Sequence, residues 1–299
     1  MNVLNYLKRP EYLWRPRQVI RRFLRIGRKS SGMEEIQLPW GTPLRVRVGE
    51  NVGADIYYYG IFDLIVPEAI WRLLDPGETA FDIGANIGQN TSAMAVRSGA
   101  GGTVLAFEPH PEIFDELVRN RKNWTSPALA HIRLEQIALG DERAEAILGA
   151  GHDFTTNRGS AHLITDPGEA SVDQSFAVTV DTLDSHCENI DSVGVCKIDV
   201  EGHELAVLRG AQKSLSRRLI RDVIFEDFNV MPSPVVELLQ GNGFEVFRLM
   251  VKPWKPSLKP LSQELAEKER FSHNYLATLA PARARARFRA VGWRCLMRP

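Results

Sequence analysis

Apolar residues in this chain fall into short runs that alternate with longer amphipathic stretches. The run Thr79–Ile83, interrupted only at Asp82, gives way to Gly84 and Gly88, and Met94, Ala95 and Val96 then recur among small and polar residues. That order predicts a strand, a glycine turn and a helix, the opening of a βαβ unit. A second apolar strand, Thr103–Phe107, ends in Glu108. Pro109-His110-Pro111 stiffens the turn after it, Pro111 suits a first helical position, and Ile113, Phe114, Leu117 and Val118 give the next helix its buried face. His131–Leu139 reads as a third strand and Val193–Ile198 as a buried parallel one. Leu205, Leu208, Ala211 and Leu215 mark the helix after it, and Arg221–Phe225 is a further strand that delivers Glu226 and Asp227. Ahead of this series, Glu35–Pro39 and Leu44–Val48 flank Trp40-Gly-Thr-Pro43 as a hairpin, and Ile61–Leu74 is an apolar-rich helix running into the Asp75-Pro-Gly77 turn.

Composition adds limits. The 299 residues suit one large α/β domain with appendages, at 44% hydrophobic and 25% charged residues. Three cysteines, Cys187, Cys196 and Cys295, show no metal-ligand spacing, which points to a reduced, cytoplasmic setting. The start, Asn2 to Leu7, runs into Lys8-Arg9-Pro10 without the apolar core of a signal peptide, and no run has membrane-spanning length.

The zero net charge hides an asymmetry that does change the picture. Residues 1–29 carry nine Lys/Arg and one acid, residues 281–299 six Arg and no acid, so of 37 basic and 37 acidic residues the body keeps 22 and 36. In 16–29, Val19, Ile20, Phe23 and Leu24 share a helical face beside Arg17, Arg21, Arg25 and Arg28. A helix docked on the acidic body is the favoured reading of this arm, and peripheral contact with an anionic membrane the sharper alternative. The tail from Pro281 reads as a solvated or self-docked end; binding of nucleic acid is disfavoured. The expected organisation is a basic arm (1–35), a hairpin-and-helix lead-in (36–76), a main domain (77–280) and an Arg-rich tail (281–299). Within the main domain, 149–175 is a long polar stretch whose His152, Asn157, Arg158, Ser160 and His162 are candidates for a substrate-binding loop.

Candidate chemistry gathers at two places. In the first, a carboxylate closing the second strand, Glu108, is placed to grip a ribose through its hydroxyls, which proposes an adenosine-bearing cofactor. The spacing Asp82-x-Gly84-x-x-x-Gly88 departs from the G-x-G-x-x-G that admits a pyrophosphate, and an acid before the first glycine suits a cationic amine. S-adenosylmethionine has that amine and no phosphate, so NAD takes second place. His110, in the turn, is a candidate to stack on an adenine. In the second, Asp199, Glu201, His203 and Glu204 cluster between a strand's carboxyl end and a helix start, and Glu226 reaches the same edge. Open α/β sheets bind ligands there. The helix dipole accounts for Glu204 but not for Asp199 or His203.

Phe81-Asp-Ile-Gly-Ala-Asn-Ile-Gly88, Phe107-Glu-Pro-His-Pro111, Val180-Asp-Thr-Leu-Asp184, Lys197-Ile-Asp-Val-Glu-Gly-His-Glu204 and Leu208-Arg-Gly-Ala211 stand in the order seen in FkbM-family methyltransferases, which residues 77–250 resemble. The resemblance implies a class I, Rossmann-like three-layer sandwich with a mostly parallel seven-stranded sheet, extended here by the N-terminal hairpin and helix. It implies S-adenosylmethionine as cofactor and an oxygen, often a sugar, glycan or natural-product hydroxyl, as acceptor. The cofactor-binding set is then Asp82, Gly84, Ala85, Asn86, Gly88, Glu108, His110 and Asp199, with Asp82, Gly84 and Asn86 facing the methionine part and Glu108 the ribose. The catalytic set is Asp199, Glu201, His203 and Glu226. An alcohol becomes a nucleophile only as its proton is drawn off, by a base or with a metal's help. His203, titrating near neutrality, is the natural base, with Asp199 or Glu201 orienting. A less favoured version holds Mg²⁺ through Asp199, Glu226 or Asp227, and Asn229. Cys196 and Lys197 read as structural, Lys197 paired with a buried-edge acid. A dehydrogenase and a non-catalytic cofactor-binding module acting through the basic ends are the other classes in view.

Overall fold

The computed structural model describes residues 9–15, 20, 32–150, 162–163, 174–263 and 271–297. Apart from Ile20, which is helical and exposed, the reading of 16–29 lies outside these residues, as do the loop candidates His152, Asn157, Arg158 and Ser160 and the side chain of His162.

The chain opens with the short helix α1 (Pro10–Trp14), the hairpin β1 (Met33–Gln37) and β2 (Pro43–Arg47), and helices α2 (Asn51–Tyr59) and α3 (Ile65–Leu73). The α/β series follows: β3 (Thr79–Ile83), α4 (Gln89–Ser98), β4 (Thr103–Phe107), α5 (Pro111–Lys122) and β5 (His131–Glu135). After an excursion comprising β6 (Ala138–Leu139), β7 (Ala144–Ala150), β8 (His162–Leu163) and β9 (Gln174–Asp181), it resumes. The later elements are β10 (Val193–Ile198), α6 (Glu204–Arg209), α7 (Gln212–Ser216), β11 (Ile220–Glu226), α8 (Pro234–Gly241), β12 (Glu245–Met250), β13 (Ser257–Pro260), β14 (Phe271–Thr278) and α9 (Pro281–Arg289).

The main sheet has the order β13-β12-β14-β11-β10-β3-β4-β5. Strands β11, β10, β3, β4 and β5 pair in parallel, and β14 runs antiparallel between β11 and β12. Seven of the eight strands are the expected mostly parallel sheet. The eighth, β13, pairs antiparallel with β12 at the edge, and its partly buried, proline-ended run gave no strand signal.

Both faces of the parallel strands are covered, so their side chains alternate between two apolar layers rather than between core and solvent. Ala80, Val104, Val195 and Ile224 face the layer that contains α3, α4, α5 and the hairpin, whereas Phe81, Leu105, Cys196 and Val223 face the layer of α6 to α8. The hairpin is fastened to that first layer by polar contacts: Trp40 Nε1 donates to Ser92 Oγ at 2.9 Å and Trp124 Nε1 to the Pro43 carbonyl at 2.8 Å.

Two expectations change. The apolar helix expected over Ile61–Leu74 is the shorter α3, and α2, a helix without a signal in the sequence, precedes it and ends at Gly60 in a left-handed cap. The stretch from His131 to Leu139 is two strands: β5 belongs to the main sheet and β6 opens a second sheet of order β6-β9-β7-β8. Much of what read as an irregular polar stretch is therefore bracketed by the β7–β9 antiparallel pair.

The Arg-rich tail is docked. Arg283 pairs with Asp75 and Asp222 at 2.7 and 3.2 Å, Arg287 pairs with Asp75 at 2.7 Å, and Arg285 pairs with Glu245. Against the cost of burial, Arg287 and Arg283 hold the Asp75 carboxyl down to about 2. These three arginines are paired with the chain's own acids.

Two of the sequence motifs are explained by packing. Asp184 accepts from the backbone amides of Lys213 and Ser214 at 2.9 and 2.8 Å, capping α7. A Cβ at Gly210 would stand 1.9 Å from the Gly140 carbonyl oxygen, so only glycine lets these two loops meet.

Candidate active site

The carboxyl ends of β3, β4, β10 and β11 open into a cavity of about 720 Å³. Its walls combine Gly84, Ala85, Asn86, Glu108, Asp199, Glu201, His203 and Glu226 from those strand ends with Asp63 ahead of α3 and Glu11 in α1. Residues far apart in sequence meet because parallel strands all end at one edge and each loop turns back over it.

The first turn depends on backbone shape. Gly84, Asn86 and Gly88 all have positive φ, at 76°, 49° and 99°. A Cβ on Gly84 would lie 1.9 Å from the Asp199 carbonyl oxygen, so the β3 and β10 loops touch through this glycine. Gly84→Ala therefore meets both a disfavoured conformation and a backbone clash. It is expected to cost at least about 2 kcal/mol, read as a lower denaturant midpoint at unchanged m-value.

Glu108 is fixed by the turns on either side: its Oε2 accepts from the Asn86 amide at 2.9 Å and its Oε1 from the His110 amide at 3.0 Å. Burial pushes its carboxyl up to about 7 despite those two amides. Each oxygen keeps a second lone pair. Lys197, buried as expected, donates to the carbonyls of Ile83 and Gly84 at 3.2 and 2.6 Å and stands 3.5 Å from Asp82 and 3.4 Å from Asp199. It ties the β3 loop to the β10 loop.

Three of the sequence candidates lie outside the cavity wall. Asp82 is fully buried behind it, its Oδ2 accepting from Thr91 Oγ1 at 2.5 Å. Gly88 packs on Leu117 and Trp124. His110 caps α5, its Nδ1 accepting from the Glu112 amide, and its ring sits 4.4 Å from Phe176. The ring of this candidate for adenine stacking is thus in contact with the second sheet.

Beyond the β10 end, Glu201 and Gly202 adopt positive φ, 52° and 94°, and turn the chain into α6. Glu204 accepts from the amides of Val200 and Gly202 at 3.1 and 3.2 Å and so braces the loop that leads into α6. His203 lines the cavity with its proton affinity lowered by burial, only partly offset by Asp141. Glu226 has the opposite shift. Burial, then the charges of Asp199, Glu201 and Asp63, push its carboxyl up to about 8.

Asp63 was missed in the sequence. It hydrogen-bonds Asn274 Nδ2 at 2.8 Å, and burial followed by Asp199 pushes it up to about 7. The only local signal in the sequence was an acid inside an apolar stretch; the structure gives this residue a φ of 35°.

Of the ligand set Asp199, Glu226 or Asp227, and Asn229, only Asp199 and Glu226 line the cavity. Asp227 accepts from the Asn229 amide and side chain at 2.9 and 2.8 Å and from Ser233 Oγ at 2.5 Å, in a loop outside the cavity wall. Among the described residues, no three His, Cys, Asp or Glu side chains are placed to hold one metal ion. Cys196 is fully buried, and burial pushes its thiol far above the usual range, so it is no nucleophile. No helix among the described residues is long and apolar enough to cross a membrane.

Known proteins bear on this architecture. A model of the methyltransferase FkbM domain matches residues 82–246, which hold every strand end that forms the cavity. The 31-O-demethyl-FK506 methyltransferase FkbM of Streptomyces tacrolimicus is 32% identical over 248 residues, covering 73% of this chain and 91% of that protein. The hexuronic acid methyltransferase AglP of Haloferax volcanii is 26% identical over 201 residues, covering 61% of this chain and 76% of that one. A SAM-dependent O-methyltransferase structure from Thermotoga maritima superposes at a TM-score of 0.40 and 13% identity, over 84% of this chain and 94% of that one. The chain belongs to the FkbM family of S-adenosylmethionine-dependent methyltransferases.

Proposed function

We propose that the protein methylates a hydroxyl oxygen of a sugar-like or natural-product acceptor, with Glu226 as the base. The observation that carries this reading is the ordering of polar groups along one sheet edge. Glu108 on β4 and Glu226 on β11 stand three strands apart, roughly 14 Å at the usual strand spacing. Asp199 and the Gly84–Asn86 turn lie between them.

The residues present fit the donor. Cations that could cradle a phosphate are scarce: the described cavity wall includes only Arg9 and Lys197, and Lys197 is spent on carbonyls and acids. Glu108 offers two fixed acceptor oxygens for ribose hydroxyls, while Asp199 and the backbone of the Gly84 turn suit an amino-acid amine. The volume accommodates a cofactor together with a small acceptor. When bound, S-adenosylmethionine supplies a methyl group on a sulfonium, open to in-line displacement. The strand ends orient the two reactants, which provides much of the acceleration.

Proton removal falls to a group whose proton affinity lies near the working pH. Glu226, raised to about 8 by burial and its neighbouring acids, meets that condition. His203, whose affinity burial lowers, is the weaker base and serves better as a neutral hydrogen-bonding group. The names of the two relatives support the acceptor class, one naming a position on oxygen and the other a sugar acid.

The experiment that tests the reading is calorimetric titration with S-adenosylhomocysteine, followed by methyl transfer to a panel of hydroxylated acceptors. Glu108→Ala is expected to weaken S-adenosylhomocysteine by on the order of 100-fold, two charge-assisted hydrogen bonds being lost. Wild-type protein that is folded yet binds no S-adenosylhomocysteine sinks the proposal.

A further inference from the structure

We infer that the protein docks peripherally on an anionic lipid surface, through an apolar patch built around Gly292 and the cations that border it.

Three segments far apart in sequence meet at Gly292. Its amide donates to the Trp254 carbonyl at 2.9 Å, and a Cβ placed on it would stand 3.1 Å from the Met297 methyl and 3.4 Å from the Trp14 ring. Trp14 Nε1 in turn donates to the Pro253 carbonyl at 3.2 Å, and Trp293 Nε1 to the Lys252 carbonyl at 3.2 Å. Two indoles thus hold this backbone in place, while the apolar side chains it presents stand in water. Trp254 is 63% exposed and Val291 67%, and Met297 and Leu13, the neighbour of Trp14, are exposed as well. Single exposed apolar residues are ordinary on a protein surface, whereas a cluster of them marks a surface that meets a partner.

Charge selects the partner. Residues 12–33, 246–263 and 270–299 contain no Asp or Glu. Lys252, Arg289 and Arg294 are exposed and pair with no acid among the described residues, unlike Arg283, Arg285 and Arg287 earlier in the tail. Lys255 adds a fourth cation, its Nζ donating to the Arg289 carbonyl at 3.4 Å. Past Trp14, residues 15–29 bring seven more Lys/Arg, with Ile20 exposed among them.

These cations weigh against the other ways of covering the patch. The basic arm or a second copy of the chain would add positive charge to a surface with no acid to meet it. Nucleic acid would meet the cations and leave Trp254, Val291 and Met297 without an apolar partner. A bilayer interface satisfies both halves. Aliphatic side chains enter the boundary of the acyl region, an indole sits at headgroup level, and each Lys or Arg near anionic headgroups strengthens binding about fivefold. The same segments reach the cavity, since Arg9, Glu11 and Val251 belong to its wall. Docking therefore holds the methyl-transfer site close to the bilayer.

The test is co-sedimentation of the full chain with vesicles of phosphatidylcholine alone and with about one-third phosphatidylglycerol. Binding is expected to be at least about tenfold stronger to the anionic vesicles and to fall as salt is raised. Trp254→Ser combined with Val291→Ser removes only exposed side chains, and should weaken that binding about tenfold at unchanged melting temperature and S-adenosylhomocysteine affinity. Lys252→Glu combined with Arg294→Glu should weaken it further. Equal binding to both vesicles, no binding, or tighter retention on duplex DNA than on anionic vesicles at the same salt overturns the inference. So does wild-type binding by both double variants, which would assign the attachment to the arm alone.

Discussion

Glu226→Gln is expected to lower turnover by about 10²- to 10⁴-fold, or roughly 3–5 kcal/mol of barrier, while S-adenosylhomocysteine binds as before. The replacement keeps the shape of the side chain and removes only its capacity to take a proton. Wild-type turnover should climb with pH to a plateau set by the ionisation of Glu226, near 8 in the free protein and lower once the cationic donor is bound. The variant's residual rate should be flat across that range. A variant that keeps wild-type turnover would move the proton to His203 or Asp199.

The same group makes a separate forecast for stability. Its carboxyl is raised in the folded chain above its ordinary 4.5, so the folded state holds the proton more tightly than the unfolded state does. That contribution is complete below about pH 4.5 and is lost as pH rises through 8. Glu226→Gln should therefore be the more stable protein at pH 8–9, by on the order of 1–2 kcal/mol after allowance for the partial exposure of the group. Paired denaturant titrations at pH 5 and pH 9 would measure it. Opposite signs for activity and stability are expected where a charge is held unfavourably for use.

Arg72→Ala should unfold the C-terminal docking before anything else, at a cost of about 3–5 kcal/mol. Arg72 and Glu68 are both fully buried, 2.6 Å apart and one helical turn apart on α3. The guanidinium also donates to the carbonyls of Arg287 and Gly292 at 2.5 and 2.6 Å, and Glu68 Oε2 accepts from the Cys295 amide at 2.8 Å. Truncation strands a buried carboxylate and two carbonyls together, which is why the loss exceeds that of an ordinary ion pair. A fall in melting temperature on the order of 10 °C is expected, with early proteolysis within 281–297. Replacing both partners with leucine should recover much of the loss, since apolar packing removes the stranded charge along with its partner. If Arg72→Ala melts with wild type, the buried pair contributes little and the tail is held by Asp75 instead.

The parts of the site that lie within one strand-and-turn unit were legible from the chain. Glu108 ends an apolar run, Gly84 follows one, and Asp199 ends another, so each could be assigned to a strand's carboxyl edge without a third dimension. The distinction between cavity wall and supporting layer was not available in the same way. Asp82 and Lys197 alternate with residues of the opposite face, and in strands covered on both sides that alternation does not say which face meets the ligand. His110 looked free to stack on a base because nothing near it in sequence announced Phe176, which reaches it from another sheet.

The sequence by itself determined the parallel strands β3, β4, β5, β10 and β11 with the helices that follow them, the carboxylate-bearing strand ends and the family, because periodicity and turn residues act over a few neighbours along the chain. Tertiary structure alone decided which charges are shared. Asp63 and Glu11 join the cavity from segments that precede β3, Glu226 acquires its raised proton affinity from burial and from acids on two other segments, and the arginines of the tail close on Asp75, Asp222 and Glu245. Electrostatic energy depends on distance in space and on the loss of water around each group, and neither quantity is written in the spacing of residues along a chain.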